Sequence, residues 1–130
     1  MYGFSVVMNG EFDFIIEQVT AALKEQGFGV LTDIDVKATL KAKLGEEMLP
    51  YRILGACAPK LAHQALTFDP ELGLLLPCNV VVRAEQDGSV KVSFIDPKAM
   101  FSVIKNPEVA GIADKVTQLL LNARDALAET

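Results

Sequence analysis

The chain holds two cysteines, Cys57 and Cys78, and its only histidine, His63, lies between them. Cys57 and His63 share the stretch RILGACAPKLAHQAL, and Cys78 falls in LLLPCNVVV. Two chemistries suit these residue types. The first is metal binding, with Cys57, His63 and Cys78 as three ligands and Asp96 as a fourth. Structural zinc sites bring their ligands in close pairs, such as C-x2-C or H-x3-H, so that local geometry holds the metal. Neither pair is present, and the sequence predicts no metal and no cofactor.

The second chemistry is that of a reactive thiol. Pro59 suits the first turn of a helix, where a missing N–H costs nothing. Cys57 then stands just before a helix N-terminus, where unpaired N–H groups and the helix dipole favour a thiolate. Lys60 is close in sequence, and His63 falls about one helical turn beyond Pro59. No orienting carboxylate or oxyanion hole accompanies them. Buried cysteines also serve cores as modest hydrophobes. The balance favours core for both cysteines and a non-enzymatic protein. A thiol-dependent enzyme or redox sensor using Cys57, with His63 beside it, is the alternative.

The elements that must position these residues follow from periodicity. Tyr2–Met8 reads as a strand, and Glu11–Gln26 as a helix with Phe12, Ile15, Ile16, Val19 and Leu23 on one face. Asn9 or Gly10 is expected to start that helix and Gly27 to end it. Phe28–Ile34 reads as a second strand. A second helix follows, capped by Asp33 or Asp35, carrying Val36, Leu40 and Leu44 and stopped by Gly45. Tyr51–Cys57 reads as a third strand, and the helix from Pro59 stops near Pro70. Asn79–Gln86 and Val90–Asp96 flank QDGS, whose Asp-Gly suits a tight hairpin. The run Val80-Val81-Val82 suggests a strand covered on both faces. Asp96-Pro97 opens a short helical turn, and Asn106-Pro107 caps a last helix bearing Val109, Ile112, Val116, Leu119, Leu120, Ala123 and Leu127. The order βαβαβαββα ends in an antiparallel pair. It predicts an α+β fold with an antiparallel or mixed sheet and helices packed on it.

Composition bounds the rest. A chain of 130 residues, 51% hydrophobic, suits one globular domain over residues 1–130. No apolar run approaches the ~20 residues that span a bilayer. The N-terminus lacks the basic and apolar pattern of a secretory signal, so the expected location is cytoplasmic and no membrane partner is expected. There a Cys57–Cys78 disulfide would not persist. A net charge of −5 argues against a nucleic-acid partner, and Lys37, Lys41 and Lys43 read as a solvated helix face. Arg52 and Arg83 on strands could each receive an anion, but each reads more simply as a surface residue or a structural ion-pair partner. No Gly-rich phosphate loop or serine elbow is present.

At LGACAPKLAHQAL, GLLLPCNVVV and IDPKAM the chain resembles domain-of-unknown-function family 302, a bacterial and archaeal group. The most specific part is Cys57-x-Pro59 followed by Leu76-Pro77-Cys78-Asn79. The resemblance implies a compact α+β fold of TATA-binding-protein-like topology, often dimeric, and implies no activity. The family pattern places Asn between the first cysteine and the proline. Ala58 stands there, so any role of that amide is absent.

Candidate ligand-binding residues are Cys57, Lys60, His63, Pro77, Cys78, Asn79, Asp96 and Met100, on three segments expected to converge at strand ends, where loops build sites. Asn79 must either pin the Leu74–Pro77 loop or face a ligand, because a polar amide on a buried strand needs partners. ELGLLLP and AMFSVI carry apolar residues that strand periodicity does not bury, which predicts a homodimer interface or a ligand cleft. The expected function is the binding of a small ligand or protein partner, with self-association.

Overall fold

The computed structural model describes residues 2–130. Five strands form one sheet: β1 (Gly3–Met8), β2 (Gly29–Asp35), β3 (Tyr51–Cys57), β4 (Cys78–Ala84) and β5 (Val90–Ile95). Their spatial order is β1-β5-β4-β3-β2, and every pairing is antiparallel. Of the two sheet types expected, the antiparallel one is found.

Strands β2 to β5 follow one another across the sheet, while β1 and β2 occupy opposite edges. Helix α1 (Phe12–Glu25), which joins them, must therefore cross the whole sheet. Its 14 residues rise about 21 Å, and four strand spacings amount to about 19 Å. The lengths match, so α1 can return the chain in one element. Glu11, not Asn9 or Gly10, caps it, its carboxylate accepting from the amides of Asp13 and Phe14 at 3.1 and 2.9 Å. Glutamate is not a preferred cap residue, which is why local sequence points elsewhere. Gly27 lies just past the end with φ +87°, the left-handed geometry that glycine adopts freely.

Helix α2 (Val36–Leu44) is capped by Asp35 through the Ala38 amide at 2.9 Å and ends at Gly45 with φ +71°. None of its residues is buried, so its helical spacing of Val36, Leu40 and Leu44 packs no core. Helix α3 (Pro59–Phe68) begins at the proline as expected. A 3-10 segment, Pro70–Leu75, follows. Helix α4 (Pro97–Met100) and the 22-residue α5 (Pro107–Ala128) complete the chain, each opened by an Asx cap, Asp96 and Asn106.

Alternation sorts the sheet into two faces. Leu54, Ala56, Val80, Val82, Val92 and Phe94 point into one core with the apolar faces of α1 and α5, each 1% exposed or less. On α5, Val109, Ile112, Val116, Leu120, Ala123 and Leu127 recur at the three- and four-residue steps of one helical face. The opposite sheet face carries Ser5, Ser93, Val81, Ile53, Lys91, Arg83 and Tyr51, half-buried or exposed. Val81 lies on that face. The expectation of a strand covered on both sides fails for β4, because only its even-numbered residues meet the helices.

Arg52 on β3 donates to Asp33 on β2, with Nε 2.8 Å from Oδ1, and its other nitrogen lies 3.8 Å from Asp13. The Arg52 hydrogen bond holds the Asp33 carboxyl below its usual range, and Asp33 raises Arg52 in turn. The pair ties the edge strand β2 to its neighbour and to the start of α1.

Candidate functional site

Antiparallel register places Ala56 of β3 opposite Cys78 of β4. Cys57 therefore ends its strand one step from Cys78. Beyond both strand ends the chain turns into α3 and the 3-10 segment, and α5 passes beneath. A cavity of about 30 Å³ remains where these elements meet. Cys57, Ala58, Pro77 and Cys78 line it from the strand ends, Leu61 and Ala65 from α3, Phe101 from just past α4, and Ile112 and Val116 from α5. A space of this size admits about one or two waters. Its walls are carbon and sulfur, which gives a water no strong partner.

Electrostatics at the thiols runs against the helix-dipole expectation. Burial pushes the Cys57 thiol up from its ordinary value. Cys78 is pushed to about 11, first by burial and then by its proximity to Cys57. Cys57 precedes the helix N-terminus as expected. Burial is the cause of its rise, because a thiolate facing apolar walls loses its hydration. Both thiols are neutral at physiological pH.

A consequence is measurable. Cys78 in the unfolded chain ionises near 9, and in the native state near 11. Its contribution to stability is fully present below pH 9 and is lost as pH rises through the native value. Two units correspond to about 2–3 kcal/mol. Chemical denaturation between pH 8 and 11 should show a fall in stability of that order, and Cys78→Ala should flatten it.

The predicted site residues divide. Cys57, Pro77 and Cys78 come together at the cavity. Lys60 is exposed and borders a separate groove with Gln26, Gly27 and Leu119. His63 is exposed on α3, and its carbonyl accepts from Thr67 at 2.8 Å. It makes no hydrogen bond to Cys57 among the described residues. Asn79 is exposed on the open sheet face, away from Cys78, because adjacent strand residues point to opposite sides. It faces solvent and does not pin the loop. Asp96 caps α4, its carboxylate accepting from the Lys98 amide at 3.0 Å. Met100 is half-buried against the core, outside the cavity wall. No group of three or more His, Cys, Asp or Glu side chains is arranged to hold a metal among the described residues.

The apolar loops are mostly used internally. Leu72 is 1% exposed and Phe101 6%, while Leu74 at 81% and Val103 at 72% face outward. The 3-10 geometry explains the difference, since a three-residue repeat turns Leu72 and Leu75 inward and Leu74 outward. Sequence reasoning missed Phe28, Ile112 and Val116 as cavity residues. They lie far from Cys57 along the chain, and only the packing of α5 brings Ile112 and Val116 to it.

An antiparallel sheet backed by helices on one face, with an apolar thiol-lined cavity at one end, defines the molecule as a small helix-backed α+β domain. The chain belongs to the family described as domain of unknown function DUF302, whose profile matches residues 4–127. A crystal structure of an uncharacterized conserved DUF302 protein from Bacillus stearothermophilus superposes with a TM-score of 0.90 at 28% identity, covering 98% of each chain. Comparison with curated proteins gives no match. No described helix is long and apolar enough to cross a membrane.

Proposed function

We propose that the protein is a non-enzymatic binding domain that takes a small apolar ligand between α3 and the ends of β3 and β4. The observation that carries this is the cavity itself, walled by Cys57, Cys78, Ala65 and Phe101 without a charged side chain. Ligand sites are mostly apolar and few per protein. At its present volume the space holds no organic ligand, so binding requires its cover to move. Helix α3 is the weakest part of that cover. Of its ten residues only Ala65 is fully buried, and elements with few buried contacts open first.

Indole is a suitable probe. In an amide-resolved NMR titration it should shift Ala65, Phe101 and Val116 together, and Ala65→Met, which fills the space, should abolish the shifts. Absence of shifts at saturating indole, or shifts centred on another surface, would refute the reading.

Self-association has its own support. Leu74, Phe68 and Leu66 on the 3-10 segment and α3 are 81%, 46% and 38% exposed, and Gly73 lies against the Leu66 side chain. Apolar residues clustered on one surface mark interfaces. Sedimentation should give a dimer at micromolar concentration that Leu74→Glu converts to monomer; an unmodified protein that sediments as a monomer removes this part.

A further inference from the structure

The open face of the sheet carries an unusual charge arrangement. Arg83 on β4 and Lys91 on β5 are direct register partners, and like charges so placed repel. The same row continues to Tyr51 on β3 and Val7 on β1. The next row is Ile53, Val81, Ser93 and Ser5. None of these strand positions is Asp or Glu, in a chain with 17 acidic residues. Asp33 and Asp35 of β2 alternate to the other face, where Arg52 meets Asp33.

Two acids approach the rim. Glu85 pairs with Arg83 at 2.8 Å, and Glu47 borders the neighbouring groove but is paired with Lys41. Lys91 makes no ion pair among the described residues. The side chains of Ser5, Ser93, Tyr2 and Tyr51 form no hydrogen bonds among the described residues. These groups border one groove of about 630 Å³ with Val81 on its floor.

We infer that this groove binds a small aromatic phosphomonoester. The phosphate dianion would sit between the Arg83 guanidinium and the Lys91 ammonium through charge-assisted hydrogen bonds, taking Arg83 nitrogens in competition with Glu85. The flat body would lie on Val81 beside Tyr51, with the serine hydroxyls as polar contacts. Two cations in a protein of net charge −5 suit a single phosphate and not a polyanion. The site lies across the sheet from the thiol-lined cavity and does not depend on it.

Calorimetric titration at low salt tests the assignment with phenyl phosphate, adenosine 5′-monophosphate, inorganic phosphate and a single-stranded ten-nucleotide DNA. Both esters should bind saturably and more tightly than inorganic phosphate. Arg83→Gln and Lys91→Gln should each weaken them about tenfold or more, with unchanged unfolding temperature, and Lys91→Arg should retain binding. The inference is overturned by absence of saturable binding of either ester at millimolar concentration. Equal affinity in the Gln variants, or esters no tighter than phosphate, would also overturn it. Oligonucleotide binding with a logarithmic salt slope well above about 2 would instead make the face a nucleic-acid surface.

Discussion

Phe94→Ala should destabilise the protein by about 3–5 kcal/mol and lower its unfolding temperature by roughly 10–20 °C. Phe94 is 1% exposed, near the end of β5. Its ring stacks on Phe4 at 5.8 Å between centroids, and Arg124 of α5 lies 5.4 Å from the Phe4 ring centre. Removing the ring leaves a cavity between β5, β1 and α5 and strips Phe4 of its partner. The surrounding strands cannot collapse into it without breaking their ladder, so the cost lies in the upper part of the large-to-small range. Calorimetry of the two proteins measures it. A loss below about 1 kcal/mol would mean that this part of the sheet is not the rigid centre described.

The second large effect comes from adding a single methyl group. Gly55 sits mid-strand in β3, where a glycine is ordinarily a weakness. A Cβ built there would stand 2.8 Å from Cγ of Pro77 and collide with the Thr32 hydroxyl. Pro77 is held by its ring at the start of β4, and Thr32 is β-branched and paired across from Gly55. Neither moves without disturbing a strand. Gly55→Ala should therefore cost about 2–3 kcal/mol, an overpacking penalty. It should also displace Pro77, which lines the cavity. Thermal unfolding with the Leu76 and Cys78 amide shifts, which flank Pro77, reports both effects. A neutral or stabilising outcome would show that Thr32 and Pro77 do not close over Gly55.

These positions show what was legible in the sequence. Helix starts at Pro59 and Asn106 and the hairpin at Asp87-Gly88 were readable, and the start of α2 was narrowed to Asp33 or Asp35, because caps and tight turns depend on a few adjacent side chains. Gly88 adopts φ +90° there. The Glu11 cap was not readable, since glutamate rarely holds that role. Val81 looked buried because three valines in a row look alike until the sheet assigns one to the open face. The conflict at Gly55 was invisible, because it joins three segments that only the strand order makes neighbours. The juxtaposition of Arg83 and Lys91 follows from the hairpin register, but the lack of Asp and Glu at the neighbouring strand positions of the open face follows from the order of all five strands.

The candidate site was legible in part for the same reason. Cys57, Pro77 and Cys78 lie at the ends of strands adjacent in sequence, and motif and geometry coincide. His63 and Asn79 are near in sequence but face away, as helix and strand periodicity direct them, and Asp96 is taken up by capping α4. Phe101, Ile112 and Val116 complete the wall by tertiary packing alone.

The central claim is that the Cys57–Cys78 end of the sheet works by packing and binding with neutral thiols, and not by nucleophilic chemistry. The most direct measurement is the pH–rate profile for alkylation of Cys57 by iodoacetamide in native Cys78→Ala protein. Modification is expected to be slow at pH 7, with a rate that keeps rising beyond pH 9, as burial requires. Rapid modification at pH 7, with a plateau below pH 8, would show a stabilised thiolate at the helix start and contradict it.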